Sequence, residues 1–194
     1  MCAAESVAAY ISKLVGPDAR ERDAAARALF RLGCAAAEPV LRQWFADREF
    51  LALAASGTAL LTIGIAVQPR SFEAIREGFG NPKLAEVPAD QRVLEFELNF
   101  GGGVRLDVVT PRAEGPIAKF LARLGEGIQQ VECDIQNVSR AVEILRERFQ
   151  LEPIYPEIRD GANHTRVSFL LVPLADNRKL LIELVETPKQ PKNR

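Results

Sequence analysis

The sequence predicts an α+β fold, in which an all-helical N-terminal segment precedes a β-rich region built from two tandem βαβββ modules. Three observations carry this. Residues 1–58 space their apolar side chains at helical intervals. From residue 60 onward the chain changes to short alternating runs punctuated by glycine and proline. Within that region the order β-α-β-β-β occurs twice, and Leu106-Asp107-Val108-Val109-Thr110-Pro111 is echoed by Ile182-Glu183-Leu184-Val185-Glu186-Thr187-Pro188. The echo places a carboxylate on the last strand of each module. The expected divisions are a helical extension over 1–58, a main domain over 59–188 with modules at about 60–111 and 126–188, and a disordered Lys- and Pro-rich tail over 189–194.

In the helical extension, residues 6–14 form an amphipathic stretch and Gly16-Pro17-Asp18 breaks it. Asp18 is placed to cap a second helix over 19–32, with Gly33 as its stop and Arg20, Arg22, Arg27 and Arg31 on a solvated face. A third helix over 35–45 carries Val40, Leu41, Trp44 and Phe45, and a fourth covers 47–55. The pattern from Arg22 to Gly33 followed by Pro39-Val40-Leu41 and Asp47 resembles one HEAT-like repeat. A lone repeat cannot bury its own apolar face, so the segment reads as an extension packed on the main domain, with a partner-docking arm as the alternative.

The first module reads as a strand over 60–67, a helix over 71–79 capped by Ser71, and strands over 83–87, 93–100 and 104–109, the last two joined through Gly101-Gly102-Gly103. A connecting helix follows over 116–124. The second module restarts with a strand over 128–135, a helix over 138–149, and strands over 152–155, 166–172 and 179–185.

Composition narrows the function. The chain has 194 residues, 47% hydrophobic and 26% charged, with a net charge of -1, which favours neither nucleic acid nor an anionic membrane. The most hydrophobic run, 51–67, is too short and polar to span a bilayer, and no secretory leader is visible. Three widely spaced cysteines imply no disulfide framework, so a reducing cytoplasm is expected. Gly101-Gly102-Gly103 precedes a strand and is a turn, not a phosphate cradle. His164 is the single histidine and falls in a loop.

Strand alternation gathers acids. Thr62 and Gly64, Glu95 and Glu97, Arg105 and Asp107, Gln130 and Glu132, and Glu183 each fall on the polar side of their strands. Several carboxylates on one partly buried surface repel one another and lose hydration. Three resolutions stay open: a divalent metal with nearly all-oxygen ligands, for which Mg, Mn or Ca suits better than Zn; a cationic ligand; or a sheet face open to solvent.

The segments Ile63-Gly64-Ile65-Ala66-Val67, Val104 to Pro111, Pro116-Ile117-Ala118-Lys119-Phe120-Leu121, Gly125-Glu126-Gly127-Ile128-Gln129-Gln130 and Leu181-Ile182-Glu183-Leu184 together resemble the vicinal-oxygen-chelate superfamily of glyoxalases, extradiol dioxygenases, bleomycin-resistance proteins and methylmalonyl-CoA epimerases. The epimerase branch is the nearest match. The resemblance implies one cupped mixed sheet around a cleft. It also implies a divalent metal (Mg, Mn or Co) held at Thr62, Asp107, Gln130 and Glu183, with Glu95 and Glu183 as the acid–base pair. The positions of Thr62 and Gln130 are normally histidines in the epimerases, and this sequence departs at both. Glu97, Arg105, Glu132, His164 and Arg166 complete the expected cleft lining. The implied ligand is a small molecule or acyl-CoA. A homodimer is compatible with this layout but not required by it, because both modules lie in one chain.

Overall fold

Two antiparallel strands, β1 (Leu61–Ala66) and β4 (Gly127–Asp134), lie side by side at the centre of a seven-stranded mixed sheet ordered β2-β3-β1-β4-β7-β6-β5. The computed structural model describes residues 6–54, 60–174 and 179–187. The expected tail over 189–194, Cys2 and the end of the fourth expected helix lie outside the described residues. On one side of the centre β1 runs parallel to β3 (Arg105–Pro111), which pairs antiparallel with β2 (Val93–Asn99). On the other, β4 runs parallel to β7 (Lys179–Glu186), which pairs antiparallel with β6 (Arg166–Pro173) and, beyond it, the two-residue β5 (Arg159–Asp160). The halves are therefore related by a pseudo-twofold axis between β1 and β4.

Alternation decides which way each strand faces. Ile63, Ile65, Phe96, Leu98, Leu106, Val108, Val131, Cys133, Ile182 and Leu184 are buried in one continuous core behind the sheet. The helices α4 (Pro69–Gly78) and α6 (Val138–Phe149) add Phe72, Ile75, Val138, Ala141 and Leu145 to it. A smaller core of Ala66, Val93, Val109 and Leu121 lies under α5 (Pro116–Leu124) at one end of the sheet.

The N-terminal helices α1 (Val7–Val15), α2 (Ala19–Ala46) and α3 (Arg48–Ala52) share the main core through Ile11, Leu14, Leu29, Leu41, Trp44 and Phe50. As expected, Asp18 caps α2, accepting from the amides of Arg20 at 2.7 Å and Glu21 at 3.0 Å. The expected stop at Gly33 does not occur. One 28-residue helix runs through both Gly33 and Pro39, so the helix break required by a HEAT-like pair is absent. Gly33 serves packing instead: a Cβ there would fall 2.6 to 2.8 Å from three carbons of Ile63, so the bare glycine lets α2 lie directly on β1. The arginine stripe is also not simply solvated. Arg22 donates to the carbonyls of Gly16 and Pro17 and covers the Phe79 ring, and Arg27 reaches the Phe100 carbonyl. Arg140 and Arg148 of α6 clasp Glu49 and Asp47 at the start of α3.

Two further expectations need correction. The helix expected to be capped by Ser71 begins at Pro69, whose fixed φ suits the first helical position, and Gln68 occupies the cap without a side-chain bond. The segments 83–87 and 152–155, expected as second strands, are extended but barely paired. The first makes one backbone bond to β2, from Ala85 N to Glu95 O at 2.9 Å. The second forms a single bridge, Pro153 with Leu170, and a bond from Ile154 N to Phe169 O at 2.7 Å. Pro82, Pro88, Pro153 and Pro156 flank or interrupt both stretches and carry no N–H for a ladder. Among the described residues no helix is long and apolar enough to cross a membrane.

A carboxylate-lined cleft as the candidate active site

The concave face of the sheet encloses a cleft of about 760 Å³. Each strand of the inner sheet contributes alternate residues: Thr62 and Gly64 from β1, Glu95 and Glu97 from β2, Arg105 and Asp107 from β3, Gln130, Glu132 and Asp134 from β4, and Glu183 from β7. The registers then align acids between strands. Glu97 is opposite Asp107, Thr62 opposite Glu132, and Glu132 opposite Glu183. The walls are apolar, formed by Leu84, Val93, Val109, Ile117, Ile154 and Phe169 among others.

Segment 82–92 of the first module meets loop 159–165 of the second across the mouth. Asn163 donates its amide to Glu86 O at 2.9 Å and accepts from Glu86 N on its side chain at 3.1 Å, while Gln91 donates to Asp160 O. Arg159 pairs with Asp90 and lies 4.4 Å over the Tyr155 ring.

The sequence-predicted residues divide cleanly. Thr62, Glu95, Glu97, Arg105, Asp107, Gln130, Glu132 and Glu183 all line the cleft. His164 and Arg166 do not. His164 is largely exposed and pairs with Glu86 on the outer side of the loop, 3.3 Å away. Arg166 lies on the helix-facing side of β6, donating to Glu186 and to Ser139 Oγ of α6. The alternation of β6 turns Phe169, one strand position out of phase with Ser168 and Leu170, into the cleft instead. Sequence reading also missed Gln129. The register shifts between Gly64 and Ile65, so that Gln130 faces Gly64 and Ile128 faces Ile65. This bulge makes Gln129 the extra residue and lets two consecutive glutamines reach the cleft.

Electrostatics follow from burial. Asp107 is 9% exposed and Glu183 8%. Loss of hydration, then the neighbouring Glu132 charge, pushes Asp107 well above the carboxylate range. Loss of hydration and the charges of Glu95 and Asp107 do the same to Glu183. Glu95 is pushed up to about 8 by burial first and by Asp107 and Glu97 second. Glu132 also rises to about 8, chiefly through burial and the Glu183 charge, although hydrogen bonds from Asp107 and Gln130 oppose this. Arg105 could offset the cluster, but its Nη2 is 2.7 Å from Asp134 Oδ2, tying the two modules together at one side. The cleft thus holds carboxyls that stay protonated near neutral pH or share protons between them.

Comparison with known proteins fixes the family. A methylmalonyl-CoA epimerase from Mycobacterium tuberculosis is 30% identical over a match spanning 68% of this chain and 92% of that one, with a TM-score of 0.56. The chain belongs to the vicinal-oxygen-chelate superfamily. A hypothetical protein from Bacillus halodurans is 28% identical, covering 68% of this chain and 96% of that one at a TM-score of 0.55. A variant epimerase from Streptomyces coelicolor in complex with 2-nitronate-propionyl-CoA is 25% identical, covering 68% and 99% at 0.55. No protein-family model matches the chain, and no curated protein does.

The divalent metal associated with the superfamily does not fit this donor set. Gln130 presents its amide nitrogen, not its oxygen, to Glu132 Oε1 at 3.0 Å and to Glu183 Oε2 at 2.6 Å. An amide N–H donates hydrogen bonds and offers a metal no lone pair. Asp107 and Glu132 are hydrogen-bonded to each other. Among the described residues no group of three or more His, Cys, Asp or Glu side chains is placed to hold a metal ion.

Proposed function

We propose that the protein moves a proton at the carbon next to the carbonyl of a small acyl thioester, as an epimerase-like enzyme. The observation that carries this reading is Glu95: a carboxyl raised to about 8, on the cleft face of β2, electrostatically coupled to Glu183 on β7. A general base works best with a pKa near the working pH, and a carboxylate reaches that value only through burial and like-charged neighbours.

Glu95 removes the α-proton from one face of the substrate, and the electron pair moves onto the thioester oxygen as an enolate. Glu183, carrying a proton, returns one to the same carbon from the other face and so inverts it. The neutral carboxyl of Asp107, held protonated by burial and by Glu132, donates its single O–H to Glu132 in the free cleft and would redirect it to the enolate oxygen once substrate is bound. The apolar walls exclude water and strengthen these interactions. The similarity to epimerases, one of them bound to an acyl-CoA analogue, supports the substrate class.

A second reading has its own observation. Among the described residues seven acids line the cleft (Asp90, Glu95, Glu97, Asp107, Glu132, Asp134 and Glu183) against the cations Lys83, Arg105 and Arg159, all of which are already paired, with Glu86, Asp134 and Asp90. That excess also suits a binding protein for a cationic small molecule, of the bleomycin-resistance kind.

Incubation with methylmalonyl-CoA or propionyl-CoA in deuterium oxide separates the two. Enzyme-dependent deuterium uptake at the α-carbon, read by mass spectrometry, is the expected result. No uptake with either thioester, together with a thermal shift produced by cationic compounds, would overturn the enzymatic reading in favour of binding.

A further inference from the structure

We propose that the Gln130 side chain takes the place of the cation around which such a cleft is otherwise built, so that the carboxylates are held by an amide and the site uses no divalent ion. The inference rests on reading this cleft as the functional site, but not on which reaction it performs.

The geometry is specific. The Gln130 nitrogen sits between Glu132 Oε1 and Glu183 Oε2, at 3.0 and 2.6 Å, and its two N–H groups are thereby both used. Each of these carboxyls keeps an oxygen able to accept from the amide N–H even when its other oxygen is protonated, so the donor orientation serves in either protonation state. The same side chain is seated by its neighbour across the central seam. A Cβ at Gly64 would fall 2.6 Å from Gln130 Cγ, so the bare glycine gives the glutamine its path across β1. The remaining position at the seam is Thr62, 2% exposed and directly opposite Glu132, which supplies no imidazole. Gln130 therefore acts as a positioning residue. It ties together two carboxylates that would otherwise separate, and it fixes the Glu183 oxygen at one edge of the cleft.

Chelator-treated protein titrated with Co(II), followed by equilibrium dialysis and visible absorption, tests this without any substrate. Wild-type protein is expected to bind Co(II) no tighter than about millimolar, because it offers no imidazole and a blocked carboxylate pair. The double variant Thr62→His with Gln130→His is expected to bind at least about a hundredfold tighter and to develop visible Co(II) absorption, with Glu183 completing the set. Gln130→Glu removes the donor and adds a carboxylate, and is expected to gain cation affinity even should the double variant fail to fold. Stoichiometric micromolar binding of Co(II), Mn(II) or Mg(II) by the wild type, abolished by Glu183→Gln, would overturn the proposal. So would folded variants that all remain metal-free, since Gln130 would then not stand at a cation's position. These readouts are independent of deuterium uptake, so failure of the enzymatic reading leaves them intact.

Discussion

Replacing Glu95 with glutamine lowers the rate of α-proton exchange by about a hundred- to ten-thousandfold, the range for loss of a general base. The substitution keeps the shape of the side chain and removes its ability to take a proton. Glu95 faces the cleft beside Glu97 and is in register with Val109, so the glutamine loses no core packing. Thioester binding is therefore expected to stay within about threefold, and the defect falls on turnover rather than on affinity. The variant is also expected to be more stable than the wild type, because a carboxyl held among like charges in a buried cup destabilises the fold. Rates from deuterium uptake and denaturation midpoints measured on the same preparation check all three effects. A residual rate within about tenfold of wild type would remove Glu95 from the role of base.

Stability itself is expected to fall as pH rises through neutrality. Glu95 and Glu132 hold their protons to about 8 in the folded chain, and Asp107 and Glu183 are raised further. In the unfolded chain all four ionise near about 4, so above that pH the native state binds more protons than the unfolded one. The derivative of unfolding free energy with pH is then negative. The stabilisation is complete below about 4 and is lost on the way to about 8, with a slope near 1.4 kcal/mol per pH unit for each retained proton. Asp47, Glu49 and Glu86 shift the opposite way, lowered mainly by hydrogen bonds from Arg148, Arg140 and Lys83, so their contribution is lost only in acid and does not mask the effect. Urea denaturation at intervals between about pH 5.5 and pH 8.5 reads the slope, and Glu132→Gln is expected to flatten it by about one proton's worth. A flat or rising profile would mean that the cluster is solvated.

Much of this site was legible in the sequence because strand alternation has a fixed period. Once 93–100 and 128–135 are read as strands, Glu95, Glu97, Gln130 and Glu132 must share faces, and the echo of Asp107 by Glu183 sets the two outer acids. Elements whose fate depends on contacts across the fold were not legible. Gly33 has the chemistry of a helix stop, yet Ile63 of a strand thirty positions away makes it a packing residue inside α2. The bulge that brings Gln129 to the cleft is a property of the pairing of β1 with β4, not of either strand alone. His164 and Arg166 were placed near the cleft from a loop and a strand start, where phase is least fixed, and each turned outward to a local carboxylate, Glu86 or Glu186. That Gln130 donates to Glu132 and Glu183, rather than merely standing where a histidine is expected, depends on the pairing of β4 with β7 and is not a property of either strand alone.

The protonation state of Glu95 decides whether the cleft can do acid–base chemistry near neutral pH. Glutamate labelled with carbon-13 at the carboxyl gives one resonance per side chain, and the signal missing from Glu95→Gln identifies the one of interest. Its chemical shift, followed through neutral pH, is predicted to titrate with a midpoint of about 8. A midpoint below about 5, the range of an ordinary exposed glutamate, would contradict a buried, proton-holding cleft.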